Sequence, residues 1–140
     1  MVVVQNRNKE SIFVVDDSED NLYLMQFILE AQGYRVSLAD NGRDALKKIA
    51  QCHPDLILLD VMMPQMDGYE VISQLRQDPT LSSIPVHLVT ADKYLSKCEA
   101  IAAGADDLIY KPIEIDKLLL QVEQTLGTSV DKQNQSLDLQ

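Results

Sequence analysis

Residues 56–68 read Leu56-Ile57-Leu58-Leu59-Asp60-Val61-Met62-Met63-Pro64-Gln65-Met66-Asp67-Gly68. Four aliphatic residues in a row, with no polar alternation, suit a strand covered on both faces. Asp67–Gly68 reads as a turn, and beyond it Val71, Ile72 and Leu75 recur at helical spacing. The same strand–helix unit recurs on either side. Apolar runs stand at residues 12–15, 34–38, 86–89 and 108–110. Between them, helical spacing links Leu22, Met25, Ile28 and Leu29, then Ala45, Leu46 and Ile49. It returns in Leu95, Cys98, Ile101 and Ala102, and in Ile115, Leu118, Leu119, Val122 and Leu126. Gly33, Gly104 and Gly127 are the expected helix stops. Five strands alternating with five helices predict an α/β fold: a five-stranded parallel sheet, doubly wound, with helices on both faces.

The bulk properties narrow the functional classes. A length of 140 residues suits one domain, predicted over 11–127, with a short leader at 1–10 and a flexible polar tail at 128–140. The formal net charge of −10 repels phosphate backbones, and no Lys/Arg cluster offsets it, so no nucleic-acid partner is expected. No secretory start and no bilayer-length apolar stretch is visible, so a cytoplasmic protein without membrane contact is expected. Cys52 and Cys98 lack metal-ligand spacing and are expected to be reduced thiols packed as small apolar groups.

In an open α/β sheet, ligands bind beyond the carboxyl ends of the strands, where strand order reverses. The residues that end each strand therefore decide the chemistry. They are Asp16 and Asp17 after the first strand, Asp60 after the third, Thr90 and Ala91 after the fourth, and Lys111 with Pro112 after the fifth. Three adjoining carboxylates raise one another's pKa, and a hard cation relieves that cost. All-oxygen ligation by few carboxylates suits Mg²⁺. Asp60 would lend the metal one oxygen and keep another as a nucleophile toward phosphorus. Lys111 and the metal would neutralise the phosphoryl oxygens from two sides, and the Thr90 hydroxyl would donate to them.

The chain resembles the receiver domains of two-component response regulators. The matching pieces are Val14-Val15-Asp16-Asp17, Asp60-Val61-Met62-Met63-Pro64 with Met66-Asp67-Gly68, Val89-Thr90-Ala91, and Lys111-Pro112, spanning residues 11–127. The resemblance implies strand order 2-1-3-4-5, as in the chemotaxis relative that exemplifies this fold. It implies Asp60 as phosphoacceptor, Asp16, Asp17, Asp60 and the backbone carbonyl of Met62 as Mg²⁺ ligands, and Thr90, Ala91 and Lys111 as the phosphoryl-binding and switch group. It also implies a cis bond before Pro112. The donor would be a histidine kinase or histidine phosphotransfer protein, and output would run through the face formed by the fourth helix, fifth strand and fifth helix. No pattern for a DNA-binding or enzymatic domain follows Gly127, so a stand-alone relay module is expected, capable only of self-phosphorylation and self-dephosphorylation.

Two departures qualify the resemblance. The aromatic residue that many receivers carry three positions before the lysine is Leu108 here. Leu108 or Tyr94 is expected to take over its role. Met62 and Asp92 occupy the positions that tune water attack on the acyl phosphate: an apolar side chain crowds that water, whereas a carboxylate orients or repels it. His87, mid-strand, is expected to be a packed, hydrogen-bonded residue, and His53 to face solvent. Two other classes fit less well. An aspartyl-phosphate phosphatase needs a second aspartate two residues after its nucleophile, a spacing absent from Asp16-Asp17-Ser18. A flavin-binding domain needs a hydroxyl- and glycine-rich loop where this chain has the acidic residues 17–20.

Overall fold

A computed structural model of the protein describes residues 10–127. The leader and tail expected at either end lie outside the described residues, apart from Glu10. Five parallel strands, β1 (Ser11–Val15), β2 (Arg35–Ala39), β3 (Leu56–Asp60), β4 (Val86–Thr90) and β5 (Asp107–Tyr110), form one sheet in the order β2-β1-β3-β4-β5. Five helices connect them: α1 (Glu19–Ala31), α2 (Gly42–Cys52), α3 (Gly68–Gln77), α4 (Lys97–Ala102) and α5 (Ile115–Leu126). The order reverses between β1 and β3, so the ends carrying Asp16 and Asp60 adjoin at the switch point.

Side-chain parity along the strands builds two cores. Phe13 and Val15, with Ile57, Leu59, Val86 and Leu88, pack with residues of α2, α3 and α4. Ile12 and Val14, with Leu56, Leu58, Val89 and Ile109, pack with residues of α1 and α5. β3 and β4 are buried along their whole length, as continuous aliphatic runs require, whereas β2 at the edge alternates between exposed and covered positions. Four of the five helices start on side-chain caps. Ser18, Asn41, Asp67 and Ser96 each accept a backbone N–H of the first turn, and Asp67 with Glu70 and Ser96 with Glu99 close capping boxes. Gly33 and Gly104 follow α1 and α4 with φ of 95° and 110°, a conformation that costs glycine least.

The structure corrects three expectations. The second strand runs one residue later than read, because buried Tyr34 packs into the α1/α5 core ahead of it. α4 has six residues and buries only Ala100. The capping box at Ser96 starts the helix after Leu95, leaving Leu95 buried in the preceding loop and Cys98 and Ile101 exposed. Both cysteines are exposed, not packed: Cys52 is the last residue of α2 and Cys98 lies in the first turn of α4, each on an outer surface.

His87 is buried beneath α5, where its Nε2 lies 2.9 Å from the Thr125 hydroxyl. Its Nδ1 has no hydrogen-bond partner among the described residues. Burial holds its pKa below the ordinary histidine value against the opposing charges of Asp107 and Asp106.

Candidate functional site

The sequence-predicted site residues converge at the carboxyl end of the sheet. One carboxylate oxygen from each of Asp16, Asp17 and Asp60 lies within 4.8 Å of the others. Asp16 and Asp60 are 5% and 3% exposed, and Asp17 stands open to solvent at the mouth. Lys111 reaches over both buried carboxylates, with Nζ 3.0 Å from Asp16 Oδ2 and 3.4 Å from Asp60 Oδ2. The Lys111–Pro112 peptide bond is cis.

Local structure fixes each group. Asp16 Oδ1 accepts the Ser18 backbone N–H at 2.9 Å, and its Oδ2 accepts the Asn21 side-chain amide at 3.3 Å. The start of α1 therefore orients the first carboxylate. Asp60 ends β3, and the loop beyond it is held tightly. Gly68 donates its N–H to the Val61 carbonyl at 2.9 Å, and a Cβ on Gly68 would come within 2.5 Å of the Asp60 carbonyl oxygen. Only glycine permits that approach without backbone movement. Between them, Met66 N–H closes on the Pro64 carbonyl at 2.8 Å around Gln65, whose φ is 69°. A left-handed glutamine in a γ-turn is a strained conformation, kept here beside the charged site.

Three carboxylates face one ammonium. Burial, followed by the charge of Asp16, pushes the Asp60 carboxyl up to about 6 against the opposing pull of Lys111 and the Met62 N–H. Burial works against the Lys111 ammonium, yet its hydrogen bond to Asp16 and the charges of Asp60 and Asp16 hold its pKa above the ordinary value. An oxygen-only donor set carrying excess negative charge fits a hard divalent cation.

Thr90 ends β4, fully buried. Its Oγ1 accepts the Asp92 N–H at 3.0 Å, which leaves the hydroxyl proton free to be donated elsewhere. Ala91 follows, exposed, with a methyl side chain that leaves the mouth open. Met62 is 66% exposed beside the same mouth.

Leu108 is buried in the α2/α3/α4 core, and Tyr94 is 92% exposed in the loop before α4. The aromatic beside Thr90 is instead Tyr110, its register partner across β4 and β5. The Tyr110 hydroxyl donates to the Leu95 carbonyl at 2.6 Å, tying the end of β5 to the loop that leaves Thr90. Sequence reading missed four contributors: Asn21, Gly68, Gln65 and Tyr110. The parity of residues 108 and 110 carried a signal for Tyr110, since both face α4, whereas nothing in the sequence marks Asn21 beyond its place in the first turn of α1.

The chain matches the response regulator receiver domain family over residues 12–123. It is 46% identical over 112 residues to the response regulator PleD of Caulobacter vibrioides, covering 79% of this chain and 25% of that protein. It is 41% identical over 121 residues to the regulatory protein PhoP of Bacillus subtilis, covering 86% of this chain and 50% of the relative. The chain thus spans a quarter to a half of the length of these relatives. Among solved structures, the chemotaxis protein CheY4 of Vibrio cholerae superimposes with a TM-score of 0.77 at 31% identity, over 84% of this chain and 98% of that one. Receiver domains take phosphoryl groups from histidine kinases, generally bind Mg²⁺ at an acidic pocket and act on downstream partners, as signalling domains and not turnover enzymes. With its strand order, its acidic pocket and this match, the chain belongs to the response regulator receiver family of two-component signalling.

Proposed function

We propose that residues 11–127 are a receiver that accepts a phosphoryl group on Asp60 from a phospho-histidine donor and thereby switches a protein-binding face. The observation that carries this reading is the placement of Lys111 Nζ at 3.4 Å from Asp60 and 3.0 Å from Asp16, within a cluster of three carboxylates.

Asp16, Asp17, Asp60 and the backbone carbonyl of Met62 would hold Mg²⁺. When bound, Mg²⁺ supplies positive charge that offsets the charge of the phosphoryl oxygens. An oxygen of Asp60 attacks phosphorus; the O–P bond forms as the N–P bond to the donor imidazole breaks, and the imidazole leaves with the electron pair. The Lys111 ammonium neutralises the arriving charge, and Thr90 donates its free hydroxyl proton to a phosphoryl oxygen. Met62 and Asp92 flank the approach of the water that would later hydrolyse the acyl phosphate.

The switch runs through the β4–α4 loop. Recruiting Thr90 to the phosphoryl group draws on a residue whose Oγ1 holds the Asp92 N–H, and Leu95 further along this loop is tied to Tyr110. In this reading Tyr110 is the aromatic side chain that links site and surface. Phosphorylation then biases an existing equilibrium of the face formed by α4, β5 and α5. Output then runs through contacts of this face with a downstream protein. Two exposed free thiols among the described residues suit a reducing, cytoplasmic setting.

The test is intact mass after incubation with Mg²⁺ and acetyl phosphate. The expected result is a gain of one phosphoryl group, abolished by EDTA and by Asp60→Asn. A phosphoryl group retained by Asp60→Asn would contradict the assignment.

A further inference from the structure

A groove of about 540 Å³ opens between the β3–α3 turn and the β4–α4 loop, on the α3 side of that loop and apart from the cleft lined by Leu108, Tyr110 and Leu120. Its floor is apolar: Val61, Met63 and Leu95 are nearly buried there. At its edge Met62 and Tyr69 present apolar surface to water. A groove of this size admits several side chains, and exposed apolar surface rimmed by polar groups marks an interaction site.

The rim is acidic. Asp67 and Asp92 line the groove, and Glu99 adds a third carboxylate whose charge is felt at Tyr69. Burial first, and then the charges of Glu99, Asp92 and Asp67, push the Tyr69 phenol above its ordinary value. Backbone donors hold all three carboxylates in place: Asp67 accepts from Glu70, Asp92 from Tyr94, and Glu99 from Ser96, each through one oxygen. None of the three forms an ion pair among the described residues. Lys93 and Lys97 stand nearby on the β4–α4 loop and α4, yet neither pairs with these carboxylates, in a chain whose formal net charge is already −10. A second copy of the chain would bring more negative charge, and a nucleic acid more still, so charge complementarity selects a basic occupant.

We propose that this groove docks a partner segment that inserts an apolar side chain between Met62, Tyr69 and Leu95 and sets a lysine or arginine against Asp67, Asp92 and Glu99. Thr90 belongs to the groove wall, so the occupant sits against the hydroxyl that ends β4. Docking on this face requires no phosphoryl chemistry and stands or falls separately from the assignment of Asp60.

The experiment selects a random peptide display library, with inserts of about 12 residues, against the immobilised full chain at low ionic strength. Selected peptides are then titrated against the parent, Tyr69→Ala, Asp92→Lys and, as a control on α1, Phe27→Ala. The expected peptides pair an apolar residue with a neighbouring Lys or Arg. They lose at least about tenfold in affinity in Tyr69→Ala and Asp92→Lys, weaken with salt, and are indifferent to Phe27→Ala. Amide shifts in the parent on peptide addition give the same answer without a variant, and are expected at residues 61–63, 67–69 and 90–95. Acidic or uncharged binders, shifts confined to other faces, or no binders would overturn the proposal. So would self-association of the parent that Tyr69→Ala abolishes, which would assign the groove to a second copy.

Discussion

The two ends of the sheet treat charge in opposite ways. At the amino ends of β4 and β5, Arg76 of α3 donates to the carbonyls of Gly104 (2.9 Å), Ser82 (3.0 Å) and Ile84 (2.7 Å), and to the Asp106 carboxylate (3.0 Å). Asp106 in turn accepts the Val86 N–H at 2.8 Å. Four of the five guanidinium donors have fixed acceptors, and one cation meets one anion. At the carboxyl end, one ammonium meets three carboxylates, and Asp60 is displaced up to about 6. The first arrangement is electrostatically complete and pins three segments together. The second is incomplete, and incompleteness is what prepares it to take a cation and a phosphoryl group.

The largest effect should come from dismantling the finished end. Arg76→Ala strands the carbonyls of Gly104 and Ile84 and unpairs Asp106, and should cost about 3 kcal/mol in urea unfolding. Mg²⁺ affinity of the remaining folded protein should stay within about twofold, because the two ends share no partners. A large loss of Mg²⁺ affinity would show that the two ends of the sheet are coupled.

A smaller effect is expected at the unfinished end. Gly68→Ala forces a Cβ to within 2.5 Å of the Asp60 carbonyl oxygen, backbone that cannot swing aside, and should cost about 2 kcal/mol. Unlike Arg76→Ala, it should also slow phosphoryl incorporation from acetyl phosphate, because the loop that carries Asp60 must shift. Incorporation at the parent rate would show that the close approach is structural alone.

The smallest effect separates two titrations. The folded-state pKa of Asp60 is raised, so in metal-free protein its contribution is fully present below about 3.8 and is lost as pH rises through about 6. His87 acts in the opposite sense. Its folded-state pKa is depressed, so the folded form binds fewer protons and stability falls as pH drops below 6.5. His87→Leu also removes the unpartnered Nδ1, while exposed Thr125 turns to water. This variant should lose less stability than the parent between pH 6.5 and 5, with its Mg²⁺ response unchanged. An unchanged acid limb would remove His87 from the account.

The same contrast shows what the sequence made legible. Strand ends are readable because aliphatic runs stop abruptly at charged or hydroxylated residues, and the parallel order then brings Asp16, Asp17, Asp60, Thr90 and Lys111 to one edge. The helix order and both cores followed from periodicity. The short α4 did not, because a Ser96–Glu99 capping box outweighed an apolar pattern that began at Leu95. Gly68 read as a turn residue, since its closeness to the Asp60 carbonyl is a tertiary fact. The role of Tyr110 was not legible, because the register that sets it beside Thr90 is a tertiary fact. Arg76 carried no signal, because three of its four acceptors are backbone carbonyls brought near by folding.

Thermal denaturation of the parent and Asp60→Asn, each in EDTA and in saturating Mg²⁺, probes the charge held at the carboxyl end of the sheet. If the carboxyl end is held together against its own charge, Asp60→Asn melts higher than the parent in EDTA. Mg²⁺ then raises the parent's Tm and moves the variant's far less. A variant that melts lower than the parent in EDTA, with an undiminished shift in Mg²⁺, would mean that Asp60 is neither under electrostatic stress nor part of the metal site.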